Sequence, residues 1–177
     1  MAILKSLIFV IVVPGIFLFY IPYGIVTSPF NTTFRMGILR FIAVIPWLLG
    51  ISASLWCVWD FTFKGEGTPA PIDPPKKLVV EGLYKFVRNP MYGGILLILL
   101  GHVLWFQSIL VVLYAVSLFV AFHLFVVFYE EPTLQRKFGD SYIHYLQTVP
   151  RWIPRTMMDC FFNFICAAIA KLKKECK

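Results

Sequence analysis

Two adjacent carboxylates, Glu130 and Glu131, follow a long apolar run. Acids at the C-terminal end of a helix oppose its dipole, so a cation should offset them. One reading is a helix-end cluster paired with lysine or arginine. The other is a site where a carboxylate holds a cationic ligand or acts as a base. His123 precedes Glu130 by seven residues, two turns of a regular helix, which puts both on one face. Asp60 closes an earlier apolar run, and His102 lies inside a later one with no polar partner at helical spacing. Polar groups in such places are costly to bury and so invite a functional reading. Tyr84, Tyr92 and Tyr129 can line a cage for a cationic ligand, although tyrosine and tryptophan also form belts at membrane interfaces. There is no His-Glu-x-x-His, no Cys-x-x-Cys and no P-loop, so no metal or phosphate site is implied.

These groups need a scaffold, and composition says which kind. Of 177 residues, 59% are hydrophobic and only 14% charged, where a soluble domain has about 25% charged residues. Mean hydropathy is +0.79. A chain this apolar cannot cover its own core, but it can face lipid. The expected fold is all-α: a polytopic integral membrane protein with about four transmembrane helices and interfacial helices at the cytoplasmic face. The runs lie near residues 7–26, 38–61, 91–106 and 108–129. The first should kink at Pro14. The third and fourth form a tight hairpin, because "WFQS" between them carries no charge.

The only long polar stretch, residues 62–89, begins with a proline-rich loop and continues as "LVVEGLYKFV". This piece reads as an interfacial element with Leu78, Val79, Leu83 and Phe86 towards lipid. After the hairpin, Leu134, Phe138, Tyr142 and Tyr145 make one stripe of an amphipathic helix interrupted by Gly139. The organisation expected is therefore 1–61, an N-terminal helix pair; 62–155, the polar loop, helical hairpin and amphipathic segment; and 156–177, an interfacial basic tail. The net charge of +7 follows the positive-inside rule rather than nucleic-acid binding. With residues 62–89 inside, all basic residues except Arg35 and Arg40 are cytoplasmic, as are both termini. The sequon at Asn31 sits in a loop too tight for a glycan.

"GLYKFVRNPMYGG", then a hairpin, then "EEPTLQRKFGDSYIHYLQTVPRWIP" resembles the isoprenylcysteine carboxyl methyltransferase family and the related phospholipid methyltransferases. The matching positions are Gly82, Tyr84, Arg88, Pro90 and Tyr92, then Glu130 and Glu131, then Phe138, Gly139, Tyr142 and Tyr145. The resemblance implies a membrane enzyme that uses S-adenosylmethionine. It implies a cofactor site at Lys77, Leu78, Val79, Tyr84, Asn89, Pro90, Met91, Tyr92 and Glu130. In it, Glu130 pairs the cofactor's ammonium, tyrosine rings face its sulfonium, and Leu78, Val79 and Met91 supply an apolar slot. The acceptor is lipophilic: a prenylated cysteine carboxylate first, a phospholipid amine second. A carboxylate needs a cation, His123 protonated or Arg151; an amine needs a base, Glu131. Two positions depart from the family pattern. Asn89 replaces a histidine, and Val126 replaces the arginine associated with the substrate carboxylate. Either His123 takes that place or the acceptor differs. A nicotinamide-dependent membrane reductase and a non-catalytic scaffold are the other classes this arrangement allows.

Overall fold

The computed structural model describes residues 12, 14–34, 37–65 and 77–155. The proline-rich part of the polar loop, the start of the first apolar run and the basic tail with its cysteines lie outside them. The described residues are helical throughout, apart from turns, short extended segments and one isolated bridge between Thr33 and Ser108. The helices are α1 (Gly15–Val26), α2 (Gly37–Phe63), α3 (Pro90–Phe106), α4 (Ile109–Phe125), α5 (Glu131–Phe138) and α6 (Asp140–Thr148). The continuous helices Gly37–Phe63 and Ile109–Phe138 are long and apolar enough to cross a membrane. Little of their apolar length is buried, so neither resembles the core helix of a soluble protein. The other two apolar helices, α1 and α3, are shorter.

Among the described residues, π turns interrupt the helices at Gly15–Tyr20 and Val126–Glu130. Each lies just ahead of a proline, Pro22 or Pro132. Proline has no N–H for the carbonyl four residues back and its ring crowds that carbonyl. The helix widens instead, and Ile21 and Glu131 donate to carbonyls five residues earlier.

Helix α2 packs closely on α3 because small residues meet at the crossing. A Cβ on Gly50 would lie 2.5 Å from the Gly94 carbonyl oxygen, and one on Gly94 would lie 2.5 Å from Ser54 Oγ. Such contacts let backbones approach where lipid offers no hydrophobic drive. Leu18, Ile98, Leu99 and Leu118 form the core beside this crossing. The α3–α4 turn uses Gln107 in the left-handed region (φ 51°), and Ser108 caps α4 by accepting from Val111 N at 3.2 Å. Ser108 Oγ also donates to Asn31 Oδ1, while Asn31 Nδ2 donates to the Val26 carbonyl. The asparagine of the sequon is thus a structural tie between the α1–α2 loop and this turn.

At the other end, two small clusters hold the loop and the last helices. Cys57, Val79 and Tyr84 form one, against Phe61, Leu83 and Met91. Tyr142, Tyr145 and Val149 form the other, against Leu78, Leu134 and Phe138. The interfacial expectation for Val79 is therefore corrected: Val79 is buried, and only Phe86 of that set is well exposed. The extended backbone explains it, since Leu78 and Val79 face opposite sides and enter different clusters. The amphipathic stripe does form, as two helices turning at Gly139, whose φ of 56° permits the break.

Candidate active site

The segment Gly82–Tyr92 supplies one wall. Gly82 takes a φ of 60° and opens a short 3-10 turn, Gly82–Lys85. The Tyr84 ring packs edge-on to Phe61 at 5.3 Å and is enclosed. Its carbonyl accepts from Tyr145 Oη at 2.6 Å. Burial pushes the Tyr84 and Tyr145 phenols up, so both serve as neutral groups. Pro90 at the first turn of α3 ends the extended stretch and lacks only an N–H that a helix start leaves unused. One turn on, Tyr92 Oη donates to Glu130 Oε2 at 2.9 Å.

The π turn separates the two carboxylates. Glu130 turns to Tyr92, and no cation among the described residues pairs with it. Glu131 turns to two arginines. Arg151 engages it in a fork, Nε to Oε1 at 2.8 Å and Nη2 to Oε2 at 2.9 Å. Arg88 Nη1 reaches Oε1 at 2.9 Å. The carboxylate holds Arg151 above its usual value, so it stays charged. Two guanidinium groups on one carboxylate leave one positive charge in excess, and Arg88 Nε is buried with no partner. The ion-paired helix-end reading thus describes Glu131 and does not describe Glu130.

A strap, Pro150–Trp152, closes the far side. The Pro150 carbonyl accepts from Arg88 N at 2.9 Å, and the Arg151 carbonyl accepts from Asn89 Nδ2 at 3.2 Å. Asn89 therefore holds the strap with a neutral amide donor. Trp152 Nε1 donates to His123 Nδ1 at 3.2 Å. An indole N–H only donates, so His123 must offer a lone pair. The His123 ring forms a triangle with Phe119 and Trp152, 6.2 Å from each, with those two 5.3 Å apart.

Of the residues anticipated for the cofactor, Tyr92 and Glu130 are joined directly. Asn89 and Pro90 are adjacent to the arginine network through Arg88. Val79, Tyr84 and Met91 form one cluster, while Leu78 belongs to the other and Lys77 is exposed. His102 is not without a partner, for its Nδ1 lies 2.8 Å from the Ile98 carbonyl and 3.3 Å from Trp47 Nε1. Arg88 was named only as a motif position, without a role, and Trp152 was not singled out at all. Arg88 carried a signal, because Glu-Glu needed a cation; Trp152 carried none.

The sequence profile of the phospholipid methyltransferase family matches residues 38–141. A stretch of 81 residues, 44% of this chain, is 37% identical to protein-S-isoprenylcysteine O-methyltransferase B of Arabidopsis thaliana. It spans only 40% of that relative's length. A second stretch of 63 residues, 36% of this chain, is 40% identical to an uncharacterized protein of Haemophilus influenzae and covers all of it. The matched span contains the loop, the hairpin, both carboxylates and Tyr92, so the chain belongs to the phospholipid methyltransferase family.

Proposed function

We propose that the chain is a membrane methyltransferase that uses S-adenosylmethionine and acts on a lipophilic carboxylate, the prenylated cysteine type first. The single observation that carries this is the sorting of Glu130 from Glu131. Glu130 is partly buried, fixed by Tyr92 and paired with no cation among the described residues, which suits a carboxylate kept for a ligand's ammonium. When bound, S-adenosylmethionine supplies a methyl group on a sulfonium, a good leaving group. A carboxylate acceptor needs no proton removed: its oxygen takes the methyl as the S–CH3 bond breaks, and the electron pair stays on sulfur. The chain's task is to orient the two reactants and exclude water.

The excess charge of Arg88 and Arg151 favours an anionic acceptor, with the unpartnered Arg88 Nε a ready donor. An amine acceptor would need a base, and Glu131 is committed to two arginines. We further infer four spans, with the site, the loop and both termini at the cytoplasmic face. The domain organisation given above accompanies that reading. Incubation with methyl-labelled S-adenosylmethionine and either a farnesylcysteine analogue or phosphatidylethanolamine tests the function. Methyl esters release label as methanol in mild alkali and methylamines do not. Alkali-labile label on the prenylcysteine supports the proposal, and stable label on the phospholipid overturns the acceptor. Binding of NADPH without S-adenosylmethionine in calorimetry would overturn the whole reading.

A further inference from the structure

Asn89 stands at the N-cap position of α3, with φ −123° and ψ 54°, yet its side chain makes no capping bond. Asparagine is favoured at that position because its oxygen can accept from the first turn of the helix. Here the residue is 8% exposed and its side chain is turned elsewhere. Its Nδ2 donates to the Arg151 carbonyl at 3.2 Å, and the N–H of Arg88 donates to the Pro150 carbonyl at 2.9 Å. Donors from two consecutive residues thus grip two consecutive carbonyls of the strap. The same segments meet again through side chains, where Arg88 and Arg151 share Glu131. The Asn89 amide therefore fixes the backbone from which the Arg151 fork departs. That fork uses Nε and Nη2 and leaves Nη1 unengaged among the described residues. The Arg151 side chain is 30% exposed against 12% for Arg88, so Arg151 is the arginine a ligand reaches more readily.

A capping asparagine would turn its oxygen to the helix, and this one turns its N–H to the strap instead. We propose that Asn89 is a positioning residue for the acceptor and not a contact of the cofactor. It fixes the strap so that the Arg151 guanidinium, steadied by Glu131, presents its open edge to the acceptor's carboxylate. An amide does not titrate, so this tie adds no charge beside the two arginines. The inference rests on the reading of the chain as a methyltransferase for an anionic acceptor, and adds to it the residue that sets acceptor affinity.

Asn89→Leu tests it, since leucine keeps the bulk, removes the donor and costs α3 no capping bond. Asn89→His returns a ring N–H. In the full chain purified in detergent, tryptic cleavage after Arg151, followed by mass spectrometry, reads release of the strap. Cleavage should be about five-fold faster in Asn89→Leu than in the wild type, the scale of one neutral hydrogen bond, and should slow again in Asn89→His. The KM for a farnesylcysteine analogue should rise by about the same factor in Asn89→Leu, while the Kd for S-adenosylmethionine stays unchanged. Asn89→His should restore that KM. Asn89→Ser shortens the donor's reach and should act in the same direction, so the test survives an Asn89→Leu that does not fold. An unchanged cleavage rate, or a cofactor Kd that weakens as much as the acceptor KM, overturns the proposal. Wild-type protein that leaves the analogue unmethylated overturns the reading of function and the acceptor role with it, while the cleavage rates still decide whether Asn89 holds the strap.

Discussion

Glu130→Gln is the most informative substitution, because glutamine keeps the shape and the acceptor for Tyr92 and removes only the charge. Among the described residues Glu130 makes a single side-chain hydrogen bond and no ion pair, so its loss strands no cation there. The fold should be nearly indifferent. Affinity for S-adenosylmethionine should not be. A hydrogen bond to a charged group contributes about 1.5–3 kcal/mol, which is roughly 10- to 150-fold in Kd. Titration calorimetry on detergent-purified protein reads the affinity, and thermal unfolding of the same sample reads the fold. Tyr92→Phe is the companion: it leaves the charge and removes its anchor, and should cost about 1 kcal/mol in affinity. An unchanged Kd for Glu130→Gln, with the fold intact, would refute the assignment of the carboxylate to the cofactor's ammonium.

The neighbouring acid should fail differently. Glu131→Gln strands Arg88 and Arg151 and should destabilise the protein by about 3 kcal/mol, read as a lower unfolding temperature. Tyr145→Phe leaves the Tyr84 carbonyl without its donor and should cost about 1–2 kcal/mol of stability by the same measurement. His123→Ala should spare cofactor affinity and lower turnover, because it loosens Trp152 and the strap while leaving Glu130 and Tyr92 in place; equal loss of both would count against that separation. Burial, followed by the nearby Glu131 and Glu130 charges, pushes the Tyr142 phenol up to about 12. It titrates near 10 once unfolded. Its contribution is therefore intact below about pH 10 and disappears as pH rises towards about 12. Alkaline unfolding should be less steep in Tyr142→Phe, followed by helical circular dichroism.

Much of the scaffold could be read from the sequence because lipid imposes blunt rules. A charge-free "WFQS" between apolar runs had to be a tight turn, and Gly139 had to break the last stripe. The site was harder. Position along a regular helix put His123 and Glu130 on one face, but Pro132 forces a π turn between them and changes the phase. That proline was visible, so the change of phase was open to inference. The same proline is why adjacent acids part company. Val79 was assigned to lipid by hydrophobicity alone, yet alternation in an extended segment sends it under Tyr84 while Leu78 goes the other way. Trp152 gave no sign. Its partner lies 29 positions earlier, and no local pattern encodes a contact of that kind.

The Pro150–Trp152 strap has a consequence for how the protein is made. Each of its residues closes a bond to chain synthesised 20 to 62 positions before it. The pocket cannot close until the strap is translated, and because Ile109–Phe138 ends only shortly before it, the last apolar helix and the strap are made almost together. Before the strap is made, Arg88 and Asn89 lack these backbone partners and Glu131 has only one arginine. The pocket is therefore the last part of the described chain to be completed, after both of its walls have been made.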